Sequence, residues 1–309
     1  MNIVFAGTPA FAVPSLEKLH EKGFNISLVI TQKDRPRGRG KKVQFTPVKE
    51  KALELGLEVY QPDNINSQES IERLKVIKPD FLVVVAYGQI LRREVLDIPK
   101  FECINVHASL LPKYRGAAPI NWAIINGEEE TGVTIMKMEE GLDSGDMISK
   151  AKVTILDEDD AISIHDKLSQ LGADLLVSTL LDIKENKAKY TPQDHEEASY
   201  APMLHKDRGK IDWNMSAREI FNLVRGLKPW PGTFTFYEDS QLKIHRVAIS
   251  DEDSKGEAGK IIRVTKDGVY VNTKDKVLVI EELQFPNKRP MKVREYLAGN
   301  SIEEGIVLK

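Results

Sequence analysis

The chain has 309 residues and a formal net charge of −3 at pH 7, so it is not a polycation. Its length is sufficient for two ordinary domains. A single cysteine, Cys103, excludes an intrachain disulfide and favours a reducing compartment. The sequence shows neither a signal peptide nor an apolar run long enough to span a bilayer, so we expect a cytoplasmic protein with no membrane partner.

Short apolar segments alternate with helical patterns through the first half of the chain. Near-continuous apolar strands in β-α order are typical of a parallel sheet that is covered on both faces. The fold class is therefore α/β, with a Rossmann-like, mostly parallel sheet and helices on both faces. The pattern predicts strands at 2–7, 27–31, 80–88 and 102–107, a hairpin of 131–139 with 147–155, and a long helix at 157–186. It also predicts helices at 14–23, at 47–55 with Thr46 as the N-cap, and after Ser67, which is the N-cap of its helix.

The second half changes in character. Residues 189–208 are polar and weakly periodic, as expected of a linker. Ser216 and Glu219 form a capping box for a helix at 217–226. Short β-like segments follow, which predict a small β-barrel that resembles an oligonucleotide-binding (OB) fold. We expect a catalytic domain at 1–188, the linker, and a C-terminal domain at 209–309, with Trp230 packing the helix onto the barrel.

Asn105 and His107 are the first candidate catalytic residues. Because side chains on a strand alternate, both lie on one face of strand 102–107, at the carboxyl end where open α/β sheets place their sites. A lone Asn-x-His pattern is more often structural. Asp143 lies within the turn GLDSGD, from which a hairpin could return it to the same sheet edge.

Together these three residues suit acyl transfer to an amine. The Asn105 amide can donate a hydrogen bond to an oxygen that gains negative charge. His107 can take the amine proton or stabilise the oxyanion, and Asp143 can orient the imidazole or relay a proton through water. Which of His107 and Asp143 removes the proton stays open, because the pair would titrate together.

Nucleotide and metal cofactors are disfavoured. Gly7 follows the first strand, but Pro9 and Ala12 replace the glycines that a dinucleotide fingerprint needs. His and Cys residues do not cluster at metal-ligand spacing, so we expect no metal.

Three segments resemble the folate-dependent formyltransferase family: FAGTPAFAVPSLEKL, the stretch 105–124, and TGVTIM followed by GLDSGD at 132–146. Asn105, His107 and Asp143 match the catalytic positions of that family. The resemblance implies 10-formyltetrahydrofolate as the formyl donor. It also implies two folate-binding segments: Tyr87, Gly88, Gln89 and Ile90, and Ser109, Leu110, Leu111 and Pro112.

The segment KDRPRGRGKK at 33–42 is strongly basic and follows the second strand, on the active-site side of the sheet. Such a cationic arm suggests a polyanionic acceptor. The arm, the segment 211–235 and the C-terminal strands resemble the branch of the family that formylates initiator methionyl-tRNA, which is monomeric; no DNA partner is implied. The implied tRNA contacts are Arg35, Arg37, Arg39, Lys41 and Lys42, with Lys288, Arg289, Lys292 and Arg294 as weaker candidates.

Two alternatives remain. The chain could be another folate-dependent formyltransferase, or a formyltetrahydrofolate hydrolase, that acts on a small substrate. It could also be a non-catalytic RNA-binding protein, although its intact catalytic trio argues against this.

Overall fold

The computed structural model describes residues 1–37 and 42–309, and omits the side chains of Arg37 and Lys42. These residues divide into two compact units. The first contains Met1–Pro119, Glu130–Thr154 and His165–Ala201, and the second contains Ile120–Glu129, Ile155–Ile164 and Pro202–Lys309. The segment expected to be a linker is therefore part of the first unit as far as Ala201.

A mostly parallel sheet forms the centre of the first unit. The described strands before residue 202 are β1 (Asn2–Gly7), β2 (Asn25–Ile30), β3 (Arg35–Arg37), β4 (Lys42–Gln44), β5 (Val59–Tyr60), β6 (Phe81–Val85), β7 (Glu102–His107), β8 (Arg115–Gly116), β9 (Glu130–Lys137), β10 (Met147–Thr154) and β11 (Tyr200–Ala201). Seven of them form one sheet in the order β10-β9-β7-β6-β1-β2-β5, while β3 pairs with β4 and β8 with β11.

The predicted parallel sheet is confirmed. β5, β2, β1, β6 and β7 run parallel, and the predicted hairpin of β9 and β10 continues the sheet in antiparallel register. All five residues of β6 are buried, which explains why this strand lacks any alternation of polar and apolar residues. The carboxyl ends of β1, β6 and β7 consequently lie at one edge of the sheet.

Two helices of the first unit begin at the side-chain caps that the sequence predicts. The Thr46 and Ser67 side chains accept hydrogen bonds from the backbone N–H groups of Lys49 and Ser70, as N-caps do. No described helix is long and apolar enough to cross a membrane. The described helices before residue 190 are α1 (Val13–Glu21), α2 (Pro47–Glu54), α3 (Gln68–Ile77), α4 (Arg93–Leu96), α5 (Pro119–Ile125) and α6 (Ala161–Lys184).

The second unit contains an antiparallel sheet and a well-capped helix. The helix α7 (Ala217–Gly226) has the predicted capping box of Ser216 and Glu219. The remaining elements are β12 (Thr233–Tyr237), β13 (Ser240–Asp253), β14 (Ile261–Thr265), β15 (Gly268–Asn272), β16 (Lys276–Gln284), β17 (Met291–Lys292) and α8 (Val293–Leu297).

The sheet of the second unit has the order β12-β13-β16-β15-β14, and β17, which was not predicted, pairs with β16. The long strand β13 shifts register against β16 at three places, as a strongly bent strand does. This pairing is compatible with the OB-like barrel, which stays a prediction.

The tryptophans all lie in the second unit. Trp213 is buried and donates from Nε1 to the Thr235 hydroxyl at 2.9 Å. Trp122 donates to the Pro202 carbonyl at 2.8 Å. Trp230 is 51% exposed, and its packing of the helix onto the barrel stays a prediction.

Candidate active site

β7 places Asn105 and His107 at the carboxyl edge of the sheet. It runs between β6 and β9, where Asn105 is opposite Val84 and Met136, and His107 is opposite Thr134. Asn105 is half-buried and His107 is only 6% exposed. Asn105 and His107 therefore lie on the same face of β7, as the side-chain period of two in a strand predicts.

A backbone hydrogen bond determines the tautomer of His107. The ring Nε2 lies 2.9 Å from the Tyr114 carbonyl oxygen, which can only accept. Nε2 therefore carries a proton, and the lone pair of the neutral ring is at Nδ1. Nδ1 lies 3.6 Å from the Asp143 carboxylate. The basic nitrogen of His107 consequently faces the acid that the sequence predicted beside it.

Asp143 is held by two donors besides its approach to His107. Its Oδ2 accepts from the Gly116 backbone N–H at 2.9 Å, and its Oδ1 accepts from Asn105 Nδ2 at 3.4 Å. The structure thus brings Asn105, His107 and Asp143 together. Asp143 has φ +47, a left-handed conformation that is strained for a residue with a Cβ.

The cluster can perform proton transfer beside a hydrogen-bond donor. The Nδ1 lone pair can accept a proton, and the adjacent carboxylate stabilises the resulting imidazolium. The Asn105 amide has two N–H groups, and only one hydrogen bond from it, to Asp143, is found among the described residues.

Sequence reasoning missed the backbone groups of Tyr114 and Gly116. Arg115 and Gly116 form β8, which pairs with Tyr200 and Ala201 of β11, far along the chain. Gly116 has φ +113, and a Cβ there would lie 2.9 Å from the Ala201 carbonyl oxygen. The motif YRGA contains this glycine, but its partner could not be identified from local sequence.

In the first candidate folate-binding segment, 87–90, two residues are held by hydrogen bonds within the protein. Tyr87 is buried and its carbonyl accepts from the Thr8 hydroxyl, while the Gln89 side chain bonds to the backbone of Asp63 and Ile65. Gly88 and Ile90 are exposed. These two residues therefore offer the accessible surface of the segment.

Gln32 lies beside this segment and was not predicted. Its Nε2 atom is buried and has no hydrogen-bond partner among the described residues. A Cβ built on Gly88 would lie 3.8 Å from that nitrogen. A buried donor without a partner is costly unless a ligand or water accepts from it.

The second candidate segment also contains residues with internal partners. The buried Ser109 hydroxyl donates to the Lys113 carbonyl, and Leu111 is buried with its N–H bonded to Thr134 Oγ1. Leu110 and Pro112 are half-buried. Ser109 and Leu111 thus fix the loop, while Leu110 and Pro112 remain partly accessible.

The basic arm contains a short ribbon, in which Arg35 pairs with Gln44 and Arg37 with Lys42. Arg35 is exposed, as are the neighbouring Val43 and Phe45. The predicted contacts Arg39 and Lys41 lie outside the described residues, and the same holds for the side chains of Arg37 and Lys42.

The weaker basic candidates are all exposed in the second unit. None of them forms an ion pair with another described residue. Lys288 and Arg289 are in the turn before β17, Lys292 ends β17, and Arg294 is in α8. Over residues 1–37 and 42–309, no group of three or more His, Cys, Asp or Glu residues could hold a metal ion.

Sequence comparison identifies the family. The model of formyl transferases matches residues 1–180, and the model of the formyl transferase C-terminal domain matches residues 203–301. The methionyl-tRNA formyltransferase of Clostridioides difficile is 54% identical over 308 residues, with 100% of each chain covered. The chain belongs to the methionyl-tRNA formyltransferase family.

Solved structures show that the fold extends beyond methionyl-tRNA formyltransferases. The sugar 3N-formyltransferase WlaRD, solved in the presence of dTDP and 5-N-formyl-THF, has a TM-score of 0.70 at 21% identity over 94% of this chain and 99% of its own. The N-formyltransferase of Helicobacter canadensis, solved with folinic acid and dTDP-3-aminofucose, has a TM-score of 0.70 at 21% identity over 90% and 98%. At these identities the likeness concerns the fold alone.

Proposed function

We propose that this enzyme, a one-carbon transferase of the cytoplasm, transfers a formyl group from 10-formyltetrahydrofolate to the α-amine of initiator methionyl-tRNA. The observation that carries the proposal is the convergence of the His107 Nδ1 lone pair, the Asp143 carboxylate and the Asn105 amide. Full-length similarity to methionyl-tRNA formyltransferases supports the acceptor. The product starts translation, and the enzyme acts as a monomer.

The acceptor amine must lose a proton as its nitrogen bonds to the formyl carbon. When bound, 10-formyltetrahydrofolate would supply the formyl group. The bond between the formyl carbon and the folate nitrogen would break, and tetrahydrofolate would leave with the proton that His107 has taken from the amine. His107 takes the proton at Nδ1, and Asp143 stabilises the imidazolium from 3.6 Å away. Asn105 donates to the formyl oxygen while negative charge develops there.

Tyr87–Ile90 and Ser109–Pro112 hold the donor in this proposal. The exposed residues Gly88 and Ile90, and the partly exposed Leu110 and Pro112, provide the contact surface. Gln32 supports the fit, because its buried Nε2 beside Gly88 requires an acceptor that a bound ligand can supply.

The acceptor is an RNA, and the basic arm is its contact. Arg35, Arg37, Arg39, Lys41 and Lys42 bind the backbone of the acceptor stem. The C-terminal domain at 209–309 adds a second contact through Lys288, Arg289, Lys292 and Arg294, which are exposed.

Formylation of charged initiator tRNA tests the proposal. With 10-formyltetrahydrofolate as donor, His107→Ala should lower kcat by about 10²- to 10⁴-fold, because the proton acceptor is lost. His20→Ala, at an exposed position in α1, should retain the wild-type rate. A His107→Ala enzyme as fast as the wild type would contradict the proposed site. A wild type that formylates only small amines, or only releases formate, would show that the acceptor is wrong.

A further inference from the structure

The segment 193–201 contacts two loops of the site. The first loop contains Tyr114 and Gly116, and the second carries Asp143. On the first loop, the Tyr114 N–H donates to the Ser199 hydroxyl at 2.9 Å, and the Arg115 N–H donates to the Ser199 carbonyl at 2.8 Å. The parallel bridge of β8 and β11 continues this contact. Tyr114 and Gly116 are the residues whose backbone holds His107 and Asp143, so this late segment positions the first loop.

Gln193 holds the second loop directly. Its Nε2 donates to the Asp143 carbonyl and to the Gly145 carbonyl, both at 2.8 Å. Gln193 is only 6% exposed. Both amide N–H groups are therefore committed to the backbone of the loop that carries Asp143.

Arg115 holds Gln193 in turn. Its Nε and Nη2 donate to Gln193 Oε1 at 3.0 and 2.7 Å, and its Nη1 donates to His195 Nδ1 at 3.2 Å. Arg115 is 3% exposed. Because a guanidinium can only donate, the Gln193 oxygen must face Arg115, and its nitrogen must face the two carbonyls.

The loop around Asp143 requires such support. Asp143 has φ +47, in the left-handed region, which residues with a Cβ seldom adopt but which Asp tolerates better than most of them. Gly145 tolerates no side chain, since a Cβ there would lie 2.0 Å from the Lys137 carbonyl oxygen. Strained backbone persists only where surrounding contacts determine it.

We infer that Gln193, fixed by Arg115, is a positioning residue that holds the Asp143 carboxylate beside His107. This role rests on the proposed function. Among the described residues, the hydrogen bonds of Gln193 to this loop go to the backbone carbonyls of Asp143 and Gly145, so Gln193 acts through the loop backbone. The formyl transfer step should therefore depend on a residue that lies outside the catalytic trio.

A double-mutant cycle tests whether Gln193 acts through Asp143. Gln193→Ala should lower kcat for formylation by about 10- to 100-fold, with KM for the tRNA and the donor changed less than about twofold. In an Asp143→Asn background, Gln193→Ala should change kcat less than about twofold, because its effect is already lost. Gln193→Ala and Asp143→Asn effects that multiply independently would overturn the positioning role.

Gln193→Glu separates hydrogen bonding from packing. A glutamate keeps the side-chain volume and the pairing with Arg115, but cannot donate to the two carbonyls. It should therefore be at least as slow as Gln193→Ala. Gln241→Ala, at an exposed position at the start of β13 in the second unit, is the control and should keep the wild-type kcat. A Gln193→Glu enzyme with the wild-type kcat would overturn the role.

A crystal structure of Gln193→Glu would measure the position of the Asp143 carboxylate, which does not depend on which acceptor the enzyme uses. Displacement of the Asp143 carboxylate from Gly116 and His107 supports the inference, and an unmoved carboxylate overturns it. A wild-type enzyme that leaves methionyl-tRNA unmodified would instead contradict the proposed function alone.

Discussion

At the scale of single residues, one carbonyl oxygen decides how His107 can act. Since Tyr114 accepts from Nε2, the neutral ring offers Nδ1 and no other basic atom. Sequence alone left the proton acceptor open between His107 and Asp143. The geometry favours His107, because the Asp143 carboxylate already accepts from Gly116 and from Asn105.

Asn105 allows a test of the oxyanion role that is independent of proton transfer. Asn105→Ala should lower kcat by about 10²- to 10³-fold, because a hydrogen-bond donor to the developing charge is lost. Single-turnover formylation with saturating donor and tRNA measures this step. Asn25→Ala, at the start of β2 and so at the opposite edge of the sheet, should leave the rate unchanged. An Asn105→Ala enzyme with the wild-type single-turnover rate would show that another group stabilises the oxygen.

At the scale of elements, a half-buried network of charged and polar side chains lies at the base of the ribbon of β3 and β4. Lys49 Nζ lies 2.5 Å from Asp34 Oδ2, and Gln61 donates to Asp34 at 2.9 Å and to the Gln32 carbonyl at 2.7 Å. Burial alone would raise the pKa of Asp34, but the hydrogen bonds from Lys49 and Gln61 lower it. The ribbon of β3 and β4 thus leaves the sheet from a fixed base.

Arg35 is the described side chain of the arm on which the tRNA contact can be tested. Arg35→Ala should lower kcat/KM for methionyl-tRNA about 5- to 50-fold and leave KM for the donor unchanged. The slope of log kcat/KM against log salt should become shallower by about one unit, because one phosphate contact is lost. Lys187→Ala, at an exposed position after α6, is the charge-matched control. A uniform loss of rate with an unchanged salt slope would exclude a phosphate contact for Arg35.

At the scale of the whole molecule, most of the described carboxylates whose pKa is lowered in the folded state lie in the second unit. A hydrogen bond from the Ala217 backbone N–H is the main cause that lowers the pKa of Asp275, and one from Ser216 lowers that of Glu219. Both carboxylates thereby stabilise the start of α7. The carboxylates with a lowered pKa are Asp34 and Glu185 in the first unit, and Asp157, Asp212, Glu219, Glu252, Asp253 and Asp275 in the second.

Acidification should therefore destabilise the second unit in particular. A carboxylate whose pKa is lower in the folded state favours folding above its unfolded pKa of about 4, and this contribution is lost as pH falls through the folded pKa. Trp122, Trp213 and Trp230 all report on this unit. The urea midpoint from tryptophan fluorescence should fall between pH 6 and pH 3, and Asp275→Asn should flatten that fall. An equal midpoint at both pH values would contradict the expectation.

The sequence predicted the features that depend on neighbouring residues, and it did not predict contacts between residues that are distant along the chain. The capping residues Thr46, Ser67 and Ser216 were predicted, because a cap depends on its own helix. Asn105 and His107 were predicted from the period of one strand. Ser199 is 85 residues from Tyr114, and Gln193 is 50 residues from Asp143. No periodicity connects such pairs, so the supports of the site became visible only in the folded chain.

The pairing of β8 with β11 limits where the chain can be truncated without disturbing the site. A fragment that ends at residue 188 would keep Asn105, His107 and Asp143 but lose Gln193, Ser199 and the strand beside Gly116. Its loops would lack their supports, and inactivity of such a fragment would say nothing about the need for the C-terminal domain. A truncation that isolates the contribution of the C-terminal domain must therefore extend past Ala201, where the first unit ends.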